Sequence, residues 1–119
     1  MTFATFAEFA AHLDGLGLFS MQLGLGRMHA ALGLMGLEHL PGVVVHVVGT
    51  NGKGSTSGFL EALARAHGLA TGLYNSPHLV SVRERIRVGG RMLMEDEWLH
   101  AANAVMGRCA GVGLTYFEL

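Results

Sequence analysis

Val43-Val44-Val45-His46-Val47-Val48-Gly49-Thr50-Asn51-Gly52-Lys53-Gly54-Ser55-Thr56 is a β-branched run that passes into a glycine loop and then into a helical pattern. The valines show no clean alternation, which predicts a strand buried on both faces of a parallel sheet. Beyond the loop, Phe59, Leu60, Leu63 and Ala66 fall on one side of a helix from Ser55 to His67, and Gly68 stands where a C-terminal cap belongs. Strand, glycine loop, helix is therefore the expected order.

That order gives the loop its chemistry. Glycines let successive backbone N–H groups turn inward around an anion, and the following helix adds its own free N–H groups and dipole. Lys53 brings a full positive charge suited to β- and γ-phosphates, and Ser55 and Thr56 bring hydroxyls for Mg²⁺ or a nucleotide oxygen. The spacing departs from G-x-x-x-x-G-K-[ST]: Gly49 lies only three residues before Gly52, and Gly54 follows the lysine. A glycine turn kept for packing alone is the alternative. The strand, the helix and the lysine in one contiguous unit weigh against it.

Working outward, Thr71 to Tyr74 reads as the next parallel strand, ended by Asn75-Ser76-Pro77-His78. Arg85-Ile86-Arg87-Val88 and Arg91-Met92-Leu93-Met94 flank Gly89-Gly90, a hairpin expected to project from the sheet. Glu95, Asp96 and Glu97 then open a helix with an apolar stripe of Trp98, Leu99, Ala102, Val105 and Met106, loosened by Gly107 and Gly111. Upstream, Phe3, Phe6, Phe9, Ala10 and Leu13 share a helix face that Gly15 and Gly17 stop, and Arg27 to Leu34 make about two more turns before Gly36. Pro41 and Gly42 close that region.

Half of the 119 residues are hydrophobic and 14% are charged, which excludes a disordered chain. A net charge of -1 gives no electrostatic case for nucleic acid or an anionic membrane. The apolar stretch from Gly15 is broken by Arg27 and Glu38, too interrupted to span a bilayer, and the N-terminus lacks a secretory pattern. A cytoplasmic protein is expected. Cys109 has no partner for an internal disulfide and reads as a small apolar residue. Seven histidines at no ligand spacing argue against zinc, although His78 adjoins the site loop, and Arg83, Arg85 and Arg87 read as a solvated strand face in preference to a hold on an acidic substrate tail.

The string HVVGTNGKGSTSGFLEALARAHGLATGLYNSPHLVSVRERIRVGG resembles the dihydrofolate synthase/folylpolyglutamate synthase family through GTNGKGS, YNSPHL and ERIRV in that order, and the later TYFE matches as well. The resemblance runs from MQLGLGRM onward; NSPHL and TYFE set the chain apart from cell-wall amino-acid ligases, which share the glycine loop. It implies the murein-ligase-like ATP-binding domain: an α/β, phosphate-loop NTPase-like fold with a mainly parallel sheet between helices. Residues 1–119 would be its N-terminal part, without the C-terminal domain.

The implied activity is ATP-dependent addition of L-glutamate to dihydropteroate or folates through an acyl phosphate, with Mg²⁺, in a protein that is monomeric at full length. A nucleotide-binding module without chemistry is the rival from another class. By the family pattern Gly49, Thr50, Asn51, Gly52, Lys53, Gly54, Ser55 and Thr56 cradle the triphosphate, Lys53 is catalytic, and Ser76 matches a metal-ligand serine. Gln22, Leu23 and Gly24 align with one substrate-binding segment, where many relatives are acidic at the position of Gln22. Thr115, Tyr116, Phe117 and Glu118 align with the other, offering an aromatic pair and a carboxylate to a flat heterocycle. An E-x-G-L-G-G segment, a histidine metal ligand and a modified lysine of the family have no match here, so the resemblance implies an inactive fragment.

Overall fold

The structure, a computed structural model, describes residues 2–18, 20 and 22–119. Met21, where the resemblance begins, lies outside them. The chain is α/β and divides into two compact units, Met1–Gly42 with Glu95–Leu119 and Val43–Met94.

The first unit is helical. α1 (Phe6–Leu16), α2 (Gly26–Met35) and α4 (Glu95–Cys109) assemble with α4 against both of the others. Thr5 starts α1 by accepting the Glu8 N–H at 3.2 Å, while the Glu8 carboxylate accepts the Ala4 N–H at 2.8 Å. These bonds satisfy donors that the helix cannot reach. Gly15 does not stop α1, contrary to expectation; a glycine inside a helix costs only about 1 kcal/mol. The stop is Gly17, at φ 78, whose N–H bonds to Asp14 O at 3.1 Å. Gly107 likewise stays inside α4.

The apolar faces read from the sequence meet in this unit, where Phe3, Phe9, Leu13, Trp98 and Ala102 are buried. Asn103 ties the N-terminal segment to α4, accepting the Phe3 N–H at 2.7 Å and donating to the Phe3 carbonyl at 2.9 Å. Cys109 is buried, with Sγ 3.8 Å from Ala31 O, as a small apolar residue would be. α2 ends at Gly36, φ 69, with Leu37 N–H on Leu32 O at 2.9 Å.

The second unit carries α3 (Lys53–Ala66), β1 (Gly72–Tyr74), a 3₁₀ turn (Val82–Arg85), β2 (Ile86–Val88) and β3 (Arg91–Met92). Its sheet corrects two expectations. All its pairings are antiparallel, in the order β1-β2-β3, so the sheet described is not mainly parallel. Nor does the hairpin project. β2 is the central strand, pairing Leu73 with Arg87 on one side and Arg87 with Met92 on the other, and the ladder continues through Asn75 N–H to Arg85 O at 2.8 Å and Gly89 N–H to Thr71 O at 2.9 Å. Gly89 and Gly90, at φ 58 and 80, make the tight turn that two positive φ values define. A Cβ at Gly90 would also come 2.5 Å from Arg65 Nε, so the Arg65 side chain would have to shift.

Residues 43–48 form neither helix nor ladder, and Val43 is 92% exposed. The physical reason is that a β-branched run becomes a strand only when it finds a partner, and a crossover helix does not oblige the strands it joins to be neighbours. β1 gives one edge to β2, and it shares with the valine run the lining of a cleft of about 1380 Å³. The stripe on α3 is open for the same want of a covering layer. Phe59 is 73% exposed and no α3 residue is buried, although α3 packs against β1. The helix also begins at Lys53, two residues before the expected start.

Candidate functional site

Residues 49–56 lead directly into α3. Gly52 caps the helix in the left-handed conformation, φ 73, with no side-chain cap. The first N–H bonded back along the chain is that of Thr56, to Gly52 O at 2.9 Å; the N–H groups of Lys53, Gly54 and Ser55 lie ahead of that ladder. All of Gly49 to Thr56 is exposed, and Lys53 reaches back over the loop to place Nζ 2.6 Å from Gly49 O. Lys53 is thus in solvent and aimed along the loop, not spent on core packing.

Ser76 comes to the same end of this unit. Asn75 Nδ2 bonds to Gly54 O at 3.5 Å, which sets the carboxyl end of β1 beside the first turn of α3, and Gly49, Lys53, Gly54 and Ser76 all line the cleft. The Ser76–Pro77 peptide is cis. After it, Glu84 gathers three backbone donors: Leu79 N at 3.0 Å, Val80 N at 2.8 Å and Ser81 N at 2.7 Å. Arg85 is buried and donates from Nε to His78 Nδ1 at 2.8 Å, and Arg83 Nε donates to Leu93 O at 3.0 Å. The expected solvated arginine face holds for Arg87, which is exposed in β2, and is corrected for Arg85 and Arg83: both lie in the 3₁₀ turn before the strand, where Arg85 is buried against His78 and Arg83 is half-buried against Leu93 O.

The Leu79 N–H first, then those of Ser81 and Val80, pull the Glu84 carboxyl from 4.5 to about 2. A carboxylate lowered in the folded state stabilises fully above its unfolded value, and that stabilisation is lost as the pH falls through the folded one. Protection of the Leu79, Val80 and Ser81 amides, followed by NMR hydrogen exchange, should hold above pH 4.5 and fall toward pH 2, and Glu84→Gln should remove that dependence. Level protection across the window in the unaltered chain would mean that Glu84 is not the clamp.

The other two candidate segments meet in the helical unit. Arg27, second in α2, donates from Nε to Glu118 Oε2 at 2.9 Å and from Nη2 to Glu118 Oε1 at 3.0 Å, and Nη2 also reaches Gln22 O at 2.7 Å. Glu118 accepts in addition from Thr115 N and Thr115 Oγ1, both at 2.9 Å. Arg27 first, then the Thr115 N–H, hold its carboxyl at about 2. Tyr116 is buried, with Phe117 edge-on to it at 5.2 Å and 74°. Phe117 remains 46% exposed and Leu23 94%. Arg27 escaped the site reading from sequence; its one signal was its place as the lone formal charge between Asp14 and Glu38.

No family model matches the chain. It is 36% identical over 112 residues to the dihydrofolate synthase/folylpolyglutamate synthase of Escherichia coli (strain K12), covering 94% of this chain and 26% of that protein. Escherichia coli FolC in complex with DHPP and ADP superposes with a TM-score of 0.88 at 35% identity, over 97% of this chain and 28% of that one. The bifunctional folylpolyglutamate synthase/dihydrofolate synthase of Yersinia pestis, complexed with AMPPNP and Mn ion, gives 0.87 at 36% identity over 97% and 28%. The chain spans about a quarter of the length of the curated relatives it matches.

Proposed function

We propose, for a chain that belongs over the stretch it spans to the dihydrofolate synthase/folylpolyglutamate synthase family, that residues 1–119 are the N-terminal part of an ATP-binding ligase domain. The domain serves the ATP-dependent addition of L-glutamate to dihydropteroate or folates, and its wider sheet is of the phosphate-loop, murein-ligase-like kind. The observation that carries the reading is that Lys53, the leading N–H groups of α3 and Ser76 occur together at one end of the same unit.

These groups fit a nucleoside triphosphate with a divalent cation. Amides ahead of a helix ladder accept an anion, the Lys53 ammonium has donors beyond the one given to Gly49 O, and the Ser76 hydroxyl is a hard oxygen suited to Mg²⁺. Bound there, ATP supplies the phosphoryl group that activates a substrate carboxylate toward the glutamate amine. Lys53 and the loop amides orient the triphosphate and neutralise its charge. In the helical unit, Phe117 and Leu23 offer apolar surface to a flat heterocycle, held by Gln22, Gly24, Thr115 and Tyr116.

The setting is the cytoplasm and the full-length form a monomer, with small-molecule partners. A net charge of -1 gives no call for nucleic acid, and no described helix is long and apolar enough to cross a membrane. The intact gene product, supplied with ATP, glutamate and dihydropteroate, should release ADP only when both acceptor and glutamate are present. Nucleotide binding with no glutamate-dependent ADP release would leave a binding module in place of a ligase.

A further inference from the structure

We propose that Arg27 is a positioning residue that sets the 22–24 segment against the 115–118 turn, and that Glu118 serves as its anchor. The inference rests on the folate-ligase reading for what the two segments bind, and on geometry alone for the tie between them.

A carboxylate recognises a heterocycle by accepting its hydrogen bonds, so its accepting positions have to be open. Most of those of Glu118 are committed, Oε2 fully and Oε1 at one of its two positions. Oε2 takes Arg27 Nε, Thr115 N and Thr115 Oγ1, all at 2.9 Å, and Oε1 takes Arg27 Nη2 at 3.0 Å. This is a two-pronged guanidinium–carboxylate pair locked to its own turn. The same Nη2 reaches the Gln22 carbonyl at 2.7 Å. Among the described residues no other hydrogen bond reaches Gln22, Leu23 or Gly24, and Leu23 is 94% exposed, so packing does not fix the segment either. One planar group, placed by the first turn of α2, therefore spaces two segments that lie 91 residues apart in sequence.

Lysine cannot replace it. An ammonium is a single point on a flexible stem and does not span a carboxylate and a carbonyl in one plane. Arg27→Lys and Glu118→Gln, made singly and together in the intact protein, should each raise KM for dihydropteroate about tenfold or more, the scale on which small misplacements act. KM for ATP should stay within about twofold, and the double variant should be no worse than either single one, because both break the same tie. General loss of structure would move both KM values together. Hydrogen exchange supplies a readout independent of activity: Glu118→Gln should speed exchange at residues 22–25, which Glu118 touches only through Arg27. Wild-type KM for dihydropteroate in Arg27→Lys, with unchanged exchange at 22–25 in Glu118→Gln, would overturn the assignment. A wild-type protein that makes no dihydrofolate overturns the folate reading instead, and the exchange measurement then decides the role of Arg27.

Discussion

Lys53→Ala in the intact protein is expected to lower turnover by about 10²–10³-fold, the usual cost of one preorganised donor at a site of developing charge. Its fold should be unchanged. Lys53 is exposed, at the first residue of α3, and its side chain bonds to Gly49 O, which is itself exposed, so alanine leaves no core cavity and no buried group without a partner. Alanine is also the better helix former. The lysine's attraction grows as charge moves onto the phosphate oxygens, so kcat should fall more than the affinity for ATP. Steady-state kinetics beside a thermal melt separate the two effects. Near-normal kcat in a folded variant would remove the role given to Lys53, and a large drop in melting temperature would show that the side chain holds the loop together.

How far the sequence reaches depends on whether the deciding partner is local. α1, α2 and α4 were legible because their apolar spacing and their stops at Gly17 and Gly36 are written within a few residues. The hairpin turn was legible for the same reason, since Gly89-Gly90 carries its geometry in the dipeptide. Sheet order was not. Nothing in the valine run says which edge it will meet, and β1 went to β2, 12 residues further along, and not to the run that precedes α3. Among the site residues, the glycine loop could be read from its own chemistry, whereas Ser76 and the two substrate segments needed the resemblance. Arg27 was missed because its meaning lies in Glu118, and a pair so far apart in sequence leaves no spacing to read.

Phe9→Ala should strongly destabilise the helical unit, whereas Phe117→Ala should leave its stability nearly unchanged and weaken the hold on the folate substrate. Phe9 is 2% exposed and sits among other rings, 5.5 Å from Phe3 and 6.1 Å from both Phe6 and Trp98. Deleting such a ring forfeits its burial and leaves a cavity that rigid aromatic neighbours cannot close, at a cost of about 3–5 kcal/mol. Proteins of this kind hold about 5–15 kcal/mol in all, so the loss is a large share of the whole. Phe117 differs in that 46% of it faces solvent, and it lies edge-on to the buried Tyr116. Its removal should change stability by about 1 kcal/mol or less, as is usual away from the core. Urea melts of the two variants, with dihydropteroate binding measured on whichever remains folded, give the comparison. Equal destabilisation would make Phe117 a core ring, and unchanged binding in a folded Phe117→Ala protein would take the heterocycle away from this turn.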